Sequence, residues 1–150
     1  MGAIFDTMTQ FFSEDNWRFE QLEDQPILRL GFSGDHGKWT CYAQAREEHQ
    51  QFVFYSVCPL NAPEEKRLAT AEFLTRANYG LVIGNFEMDF ADGEIRYKTS
   101  IDVEDDRLVP ALVRNLVHVN VLMMDRYLPG MMAVIYGGRS PAEAIAQIEG

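Results

Sequence analysis

Apolar residues recur at helical spacing near the start of the chain and then alternate with polar residues over four further segments. Ile4, Met8, Phe11 and Phe12 share one side of a helix, which predicts an amphipathic helix over residues 3–13. Alternation over four to eight residues between polar turns predicts β-strands. The predicted strands are Asn16–Glu23, Pro26–Gly34, Lys38–Arg46 and Gln50–Pro59.

These four strands pair best as an antiparallel meander with one apolar face. Short polar turns place Leu30 opposite both Phe19 and Cys41 on the face that we expect to be buried. The same register places Tyr42 opposite Tyr55 on the other face, which has a mixed composition. The meander therefore predicts a sheet that is buried on one side.

A second helix is predicted over residues 61–80. Asn61 is the expected capping residue and Pro63 lies in the first turn, which suits a helix N-terminus. Gly80 is expected to end the helix in the left-handed conformation.

A β-hairpin follows this helix, with Asp92–Gly93 as the predicted two-residue turn. That turn pairs Met88 with Tyr97 on the apolar face and Asp89 with Arg96 on the polar face. Because the acidic side chains of this hairpin face basic ones, we interpret them as a solvated surface and not as a catalytic pair.

A long apolar helix is predicted after the acidic triplet Glu104–Asp106. Its apolar residues cover more than one stripe, so we expect it to contact both its own sheet and a second subunit. Pro129–Gly130 is expected to kink or end it. Ser140 and Glu143 form a predicted capping box that opens a terminal helix through Ile148.

This order of elements predicts an α+β fold, in which a curved antiparallel sheet (the meander plus the hairpin) has helices packed on it. The chain has 150 residues and 47% hydrophobic composition, enough for one core, and no linker or repeat divides it. We therefore expect a single domain over residues 1–150.

The net charge of the chain limits the classes of partner that we expect. A net charge of −10 repels phosphate backbones and anionic lipid surfaces, so neither nucleic acid nor membrane is an expected partner. The first residues lack the basic region of a signal peptide, and the apolar run 117–136 carries charged residues and a Pro-Gly break. We expect a soluble, cytoplasmic protein that binds other proteins.

No pattern of catalytic or ligand-binding residues stands out. The three histidines have no metal-ligand spacing, and no phosphate loop, dinucleotide fingerprint or nucleophile elbow is present. Cys41 and Cys58 are diagonal neighbours in the predicted sheet, which suits small core residues better than a disulfide. We expect no cofactor, no metal and no enzymatic activity.

Five residues are candidates for a partner-binding surface. The predicted cross-strand pair Tyr42 and Tyr55 is either a binding surface or an ordinary pair on the outside of a sheet. Arg76, Asn78 and Asn85 surround the turn between the second helix and the hairpin, where they either hold the backbone or contact a partner.

The stretch Asn78–Phe86 carries the spacing N-x-x-x-x-x-G-x-F, and an acidic-tipped hairpin follows it. Together with MDRYLPGMMAVIYG further on, this stretch resembles the YbjN family, bacterial proteins labelled sensory transduction regulators. The resemblance runs from Trp17 to Ile148 and is strongest to cyanobacterial members.

The resemblance implies a fold like that of type III secretion chaperones, which are commonly homodimers and bind extended segments of partner proteins. The family offers no catalytic residue to carry over. We therefore expect a non-enzymatic regulatory or chaperone-like module, whose molecular activity is unassigned. The alternative is a small-molecule sensor or an unrecognised enzyme with a pocket beside the sheet.

Overall fold

Six strands and four α-helices account for most of the chain in the computed structural model, which describes residues 1–150. Two short 3₁₀ helices, Glu47–His49 and Glu64–Lys66, lie between them. The elements in chain order are α1 (Ala3–Glu14), β1 (Phe19–Gln21), β2 (Ile27–Ser33), β3 (Lys38–Arg46), β4 (Gln51–Asn61), α2 (Arg67–Asn78), β5 (Asn85–Met88), β6 (Glu94–Asp102), α3 (Pro110–Ile135) and α4 (Pro141–Glu149).

The strands form one open antiparallel sheet in the order β1-β2-β3-β4-β6-β5, which confirms the α+β class and the packing of helices on an antiparallel sheet. The register of the meander is also as predicted: Leu30 pairs with Phe19 and with Cys41, and Tyr42 pairs with Tyr55. Alternation of side chains and short turns therefore suffice to specify this part of the sheet.

The core lies between the helices and one face of the sheet. Helix α1 packs on β3, α2 packs on β5, and α3 packs on β4 and β6. Aromatic rings fill much of this space, because each one removes a large apolar area from water. The largest fully buried side chains include Phe12, Phe52, Phe54, Phe73, Tyr97 and Tyr127.

The hairpin exists, but its predicted register is wrong by two residues. Met88 pairs with Ile95, and Phe86 pairs with Tyr97. Five residues (89–93) connect the two strands instead of two, because Gly93 is held against Ala62: the Ala62 N–H donates to the Gly93 carbonyl at 2.9 Å. A shift by two preserves the face of every side chain, so the polar and apolar sides of the hairpin remain as predicted.

Helix α2 begins later than predicted. Asn61 is the last residue of β4, and its side chain donates to the Asp92 carbonyl at 3.3 Å instead of capping a helix. The predicted left-handed Gly80 is also wrong. The left-handed glycine of this turn is Gly84, with φ +81°.

Helix α3 runs without interruption from Pro110 through Pro129 to Ile135, so Pro129 does not end it. The acidic triplet 104–106 lies in the preceding loop, because Pro110 occupies the first turn of the helix. Much of its broad apolar surface packs on the sheet and on α1, α2 and α4. The capping box of Ser140 and Glu143 on α4 is confirmed.

No helix of the structure is both long enough and apolar enough to cross a membrane.

Candidate protein-binding surface

All four helices lie on one side of the sheet, and the other side, here called the outer face, has no element packed on it. Residues on the core side of the strands are mostly buried, whereas their alternating neighbours on the outer face are half-buried or exposed. Val53 is the one buried residue of this face. The outer face is thus the largest part of the sheet left open to a partner.

One row of side chains crosses the outer face at the same register in all six strands. Tyr42 and Tyr55 are at its centre, with Arg29 beside Tyr42 and Lys98 beside Tyr55. We call these residues the central row. In spatial order they are Glu20, Arg29, Tyr42, Tyr55, Lys98 and Asn85.

Tyr55 is the common wall of two clefts on this face. The guanidinium of Arg96 lies over its ring, 4.2 Å from the centroid, which holds the ring in a cation–π contact. The first cleft, here called the apolar cleft, has a volume of about 240 Å³. Its walls are Leu22, Ile27, Tyr42, Gln44, Tyr55, Val57, Glu94 and Arg96.

The second cleft, here called the basic cleft, has a volume of about 290 Å³. It contains two bases, Arg46 and Lys98, and one acid, Asp102. Gln51 accepts a hydrogen bond from Arg46 at 3.0 Å and donates one to Asp102 at 3.1 Å, so Arg46 is paired with an amide and not with a carboxylate. The other lining residues are Val53, Tyr55, Ser100 and Ile101.

Glu87 forms ion pairs with two basic side chains on the outer face. Arg96 forms an ion pair with one carboxylate oxygen of Glu87, and the Lys98 ammonium lies 3.3 Å from the other. Partial burial alone would raise the pKa of Glu87, but hydrogen bonds and charge from the two bases outweigh it and lower the pKa below its ordinary 4.5. Glu87 therefore pairs with both of the bases that flank Tyr55 on β6.

Three of the five candidate residues meet on this face. Tyr42, Tyr55 and Asn85 belong to the central row. Arg76 and Asn78 do not: they lie at the end of α2 beyond the edge of the sheet. The side chain of Arg76 pairs with Glu72 one turn earlier, at 2.8 Å.

Asn78 has a structural role. Its side-chain oxygen accepts a hydrogen bond from the Phe86 N–H at 2.7 Å, and its amide donates to the Phe86 carbonyl at 3.0 Å. The asparagine and the phenylalanine of the N-x-x-x-x-x-G-x-F spacing are therefore bonded to each other. Gly84 between them takes the left-handed conformation that the turn requires.

Arg96, Lys98 and Arg46 were not among the residues singled out from the sequence. Arg96 and Lys98 approach Tyr55 because β4 pairs with β6, two strands that are separated in sequence by the whole of α2 and β5. Arg46 approaches Tyr55 through the pairing of β3 with β4. The alternation of bases at positions 96 and 98 on β6 marks them as sharing one face, but it contains no information about the neighbouring strand.

The two thiols and the three histidines form no site with one another. Cys41 and Cys58 are both free and buried, and burial raises their thiol pKa to about 12 and about 11. Thiols with such high pKa values are poor nucleophiles at neutral pH. No group of three histidine, cysteine or carboxylate side chains is close enough to hold a metal ion.

A larger cleft lies elsewhere, between the start of α1 and the loop that precedes α3. Its volume is about 630 Å³, and its walls include Ile4, Val103 and Leu108 together with Arg107 and Glu47. Both Glu47 carboxylate oxygens accept backbone N–H groups of α1, so this carboxylate already has protein partners. A small-molecule sensor or an enzyme would need a concave pocket of about this size.

Comparison with known proteins places the chain in one family. The family model for YbjN, described as "Putative bacterial sensory transduction regulator", matches residues 5–132. Among solved structures, the chain is similar to one described as "Crystal structure of YbjN, a putative transcription regulator from E. coli", with a TM-score of 0.61 and 13% identity. That match covers 95% of this chain and 92% of the other. No curated protein matches the chain.

Proposed function

This chain belongs to the YbjN family, and on that premise we propose that it is a regulatory module without enzymatic activity that works by binding a protein partner. The family description supports a regulator and leaves the molecular activity open. The observation that carries the proposal is the uncovered outer face of the sheet, where Tyr42 pairs with Tyr55 and Tyr55 separates two clefts.

The composition of that face suits protein recognition. Tyrosine and arginine are enriched at protein–protein interfaces, since each combines a large contact area with a polar group. Here Tyr42, Tyr55 and Arg96 supply both within one cleft. An extended partner segment that crosses the face, as type III secretion chaperones bind their partners, is the mode of binding that we propose.

The test is recovery of a partner from the native cytosol by the wild-type chain and by the double variant Tyr42→Ala/Tyr55→Ala. The proposal expects the same partner to be enriched with the wild type and lost with the variant. Tyr79→Ala is the matched control, because Tyr79 is 95% exposed and lies outside this face. Equal recovery by the double variant would rule out the outer face as the binding surface.

We propose that the protein is cytoplasmic. We also propose that it forms a homodimer through the solvent side of α3, so that the outer face of the sheet stays free to bind a partner. Leu122, Met132 and Tyr136 are exposed on that side of the helix and lie within about 80° of one another around the helix axis at 100° per residue. Exposed apolar side chains on one side of a helix favour association. Analytical ultracentrifugation tests this: Leu122→Glu should convert a dimer to a monomer, and a monomeric wild type would contradict the proposal.

A second candidate is a small-molecule sensor that uses the cleft between α1 and the loop before α3. The 630 Å³ volume, with apolar walls and the free guanidinium of Arg107, favours it. A thermal-shift screen with small anionic compounds tests this candidate. It expects stabilisation that Arg107→Ala abolishes, and no stabilisation by any compound would exclude it.

A further inference from the structure

The outer face reverses the charge balance of the rest of the molecule. Its strand positions carry five bases and four acids, which leaves eight of the thirteen Lys and Arg residues and nineteen of the twenty-three Asp and Glu residues for the remaining surface. The bases are Arg29, Lys38, Arg46, Arg96 and Lys98, and the acids are Glu20, Glu87, Glu94 and Asp102. An acidic partner is therefore repelled less by this face than by the rest of the surface taken together.

Near Tyr55, Arg46 is the base that has no carboxylate partner. On one side of the tyrosine ring, Glu87 is shared between Arg96 and Lys98. On the other side, the guanidinium of Arg46 is hydrogen-bonded to Gln51 and has no carboxylate partner. By contrast, Arg29 at the far end of the central row is neutralised by its own ion pair with Glu20.

The two clefts differ in what they accept. The apolar cleft has five hydrophobic walls, one acid and one base, and its volume of about 240 Å³ suits one large apolar side chain. The basic cleft has two bases and one acid, so it suits a carboxylate. Because both share Tyr55, a single extended segment crossing that ring reaches both of them.

We propose that the outer face binds an extended acidic peptide segment that places an apolar side chain in the apolar cleft and a carboxylate in the basic cleft. Two residues apart on an extended chain, these side chains point the same way and lie about 7 Å from each other. This inference rests on the proposed function, and it adds the chemical class of the partner. It also reverses the expectation from net charge alone, which favours basic partners.

The probe is a fluorescein-labelled peptide, Ser-Leu-Thr-Asp-Ser-Leu-Thr-Asp-Ser, which alternates leucine and aspartate on one side of an extended chain. Its comparison peptide has lysine at both aspartate positions. Titration of the full chain, followed by fluorescence anisotropy, should show saturable binding of the aspartate peptide and at least about tenfold weaker binding of the lysine peptide. Added salt should weaken the first interaction, because charges carry much of it.

Two variants with the same change of charge locate the site. Lys98→Glu should weaken binding of the aspartate peptide about tenfold. Arg114→Glu should leave it unchanged, because Arg114 is exposed on α3, away from the outer face. Circular dichroism confirms that both variants remain folded, and Lys98→Gln, which removes the charge without reversing it, should give an intermediate loss.

The outcomes separate this inference from the proposed function. Equal binding of the two peptides, or no effect of Lys98→Glu, overturns the acidic-segment proposal even where a cellular partner still depends on Tyr42 and Tyr55. If Tyr42→Ala/Tyr55→Ala turns a wild-type dimer into a monomer, a second copy covers the face and the proposal is wrong. If partner recovery is independent of the two tyrosines, the proposed function itself fails.

Discussion

Asn78 covers the free edge of the sheet by bonding to Phe86 as a neighbouring strand would. Strand β5 is the last in the sheet, and Phe86 directs its N–H and carbonyl away from β6. The carboxamide of Asn78 offers one acceptor and one donor in the arrangement of a peptide group, so both backbone groups are satisfied. Because an open edge strand invites pairing with other chains, this contact protects the molecule from edge-to-edge association.

Asn78→Ala is therefore expected to have two consequences. Loss of both hydrogen bonds from a partly buried backbone should lower the free energy of unfolding by about 1–3 kcal/mol, measured by urea denaturation. The uncovered edge should also increase self-association, measured by light scattering at raised protein concentration.

Asn115→Ala is the control for this prediction, because Asn115 is an exposed asparagine on a helix and makes no side-chain hydrogen bond within the chain. Its effect on stability should stay within about 0.5 kcal/mol. A variant of Asn78 that is as stable and as monodisperse as this control would show that the edge needs no cover.

Gly84, like Asn78, determines the conformation of the turn between α2 and β5. Its φ of +81° strains any residue with a Cβ, and an added Cβ would lie 2.7 Å from the Lys98 carbonyl oxygen. Gly84→Ala should therefore cost about 3 kcal/mol or more in unfolding free energy. Gly31→Ala, where an added Cβ meets nothing within 4 Å, should be close to neutral, and a similar loss in both variants would contradict the argument.

The meander could be predicted in register because alternation and turn length are both local signals. The hairpin could not, since its loop is set by the contact between Gly93 and Ala62, thirty-one positions apart along the chain. The start of α2 was missed for the same reason: Asn61 has the composition of a helix cap, but its side chain is engaged by the hairpin loop. Where the local sequence pattern is compatible with two structures, as in the hairpin loop and at the start of α2, tertiary contacts determine which one forms.

The candidate surface was likewise only partly predictable. Tyr42 and Tyr55 follow from the register of adjacent strands, and so their pairing could be predicted. Arg96 and Lys98 reach Tyr55 only because β6 inserts between β4 and β5, and no local pattern indicates that order. The charge reversal of the outer face is consequently invisible in the composition, which shows only an acidic chain.

Glu87 makes a small part of the stability dependent on pH. Since its pKa is lowered in the folded chain by Arg96 and Lys98, its contribution is complete above the ordinary pKa of 4.5 and disappears as the pH falls through the folded value. Glu87→Gln should therefore be less stable than the wild type at pH 7, by less than about 1 kcal/mol because the ion pair is partly exposed. The difference should shrink as the pH falls below 4.5, and a difference independent of pH would contradict the assignment.

Asn120 connects α3 to the middle of the sheet. Its side chain is fully buried, and its amide donates toward the Phe54 carbonyl at 2.9 Å, the Tyr97 carbonyl at 3.2 Å and the Thr99 hydroxyl at 3.1 Å. Its own oxygen has no partner. Asn120→Ala should lower the free energy of unfolding by about 2–4 kcal/mol, because it removes the donors and leaves a cavity.

Asn120→Asp separates the loss of the donors from the cavity. It keeps the shape of the side chain, so it leaves no cavity, and it removes the donors only while the carboxyl is ionised. Burial among three acceptors should raise the folded pKa of this carboxyl above the unfolded value of about 3.9. Its stability should therefore be highest below that value and fall as the pH rises through the folded pKa, the reverse of the wild-type dependence through Glu87. Urea denaturation between pH 3 and pH 7 measures this, and an Asp variant as stable as the wild type at pH 7 would show that the buried amide donates nothing that the fold requires.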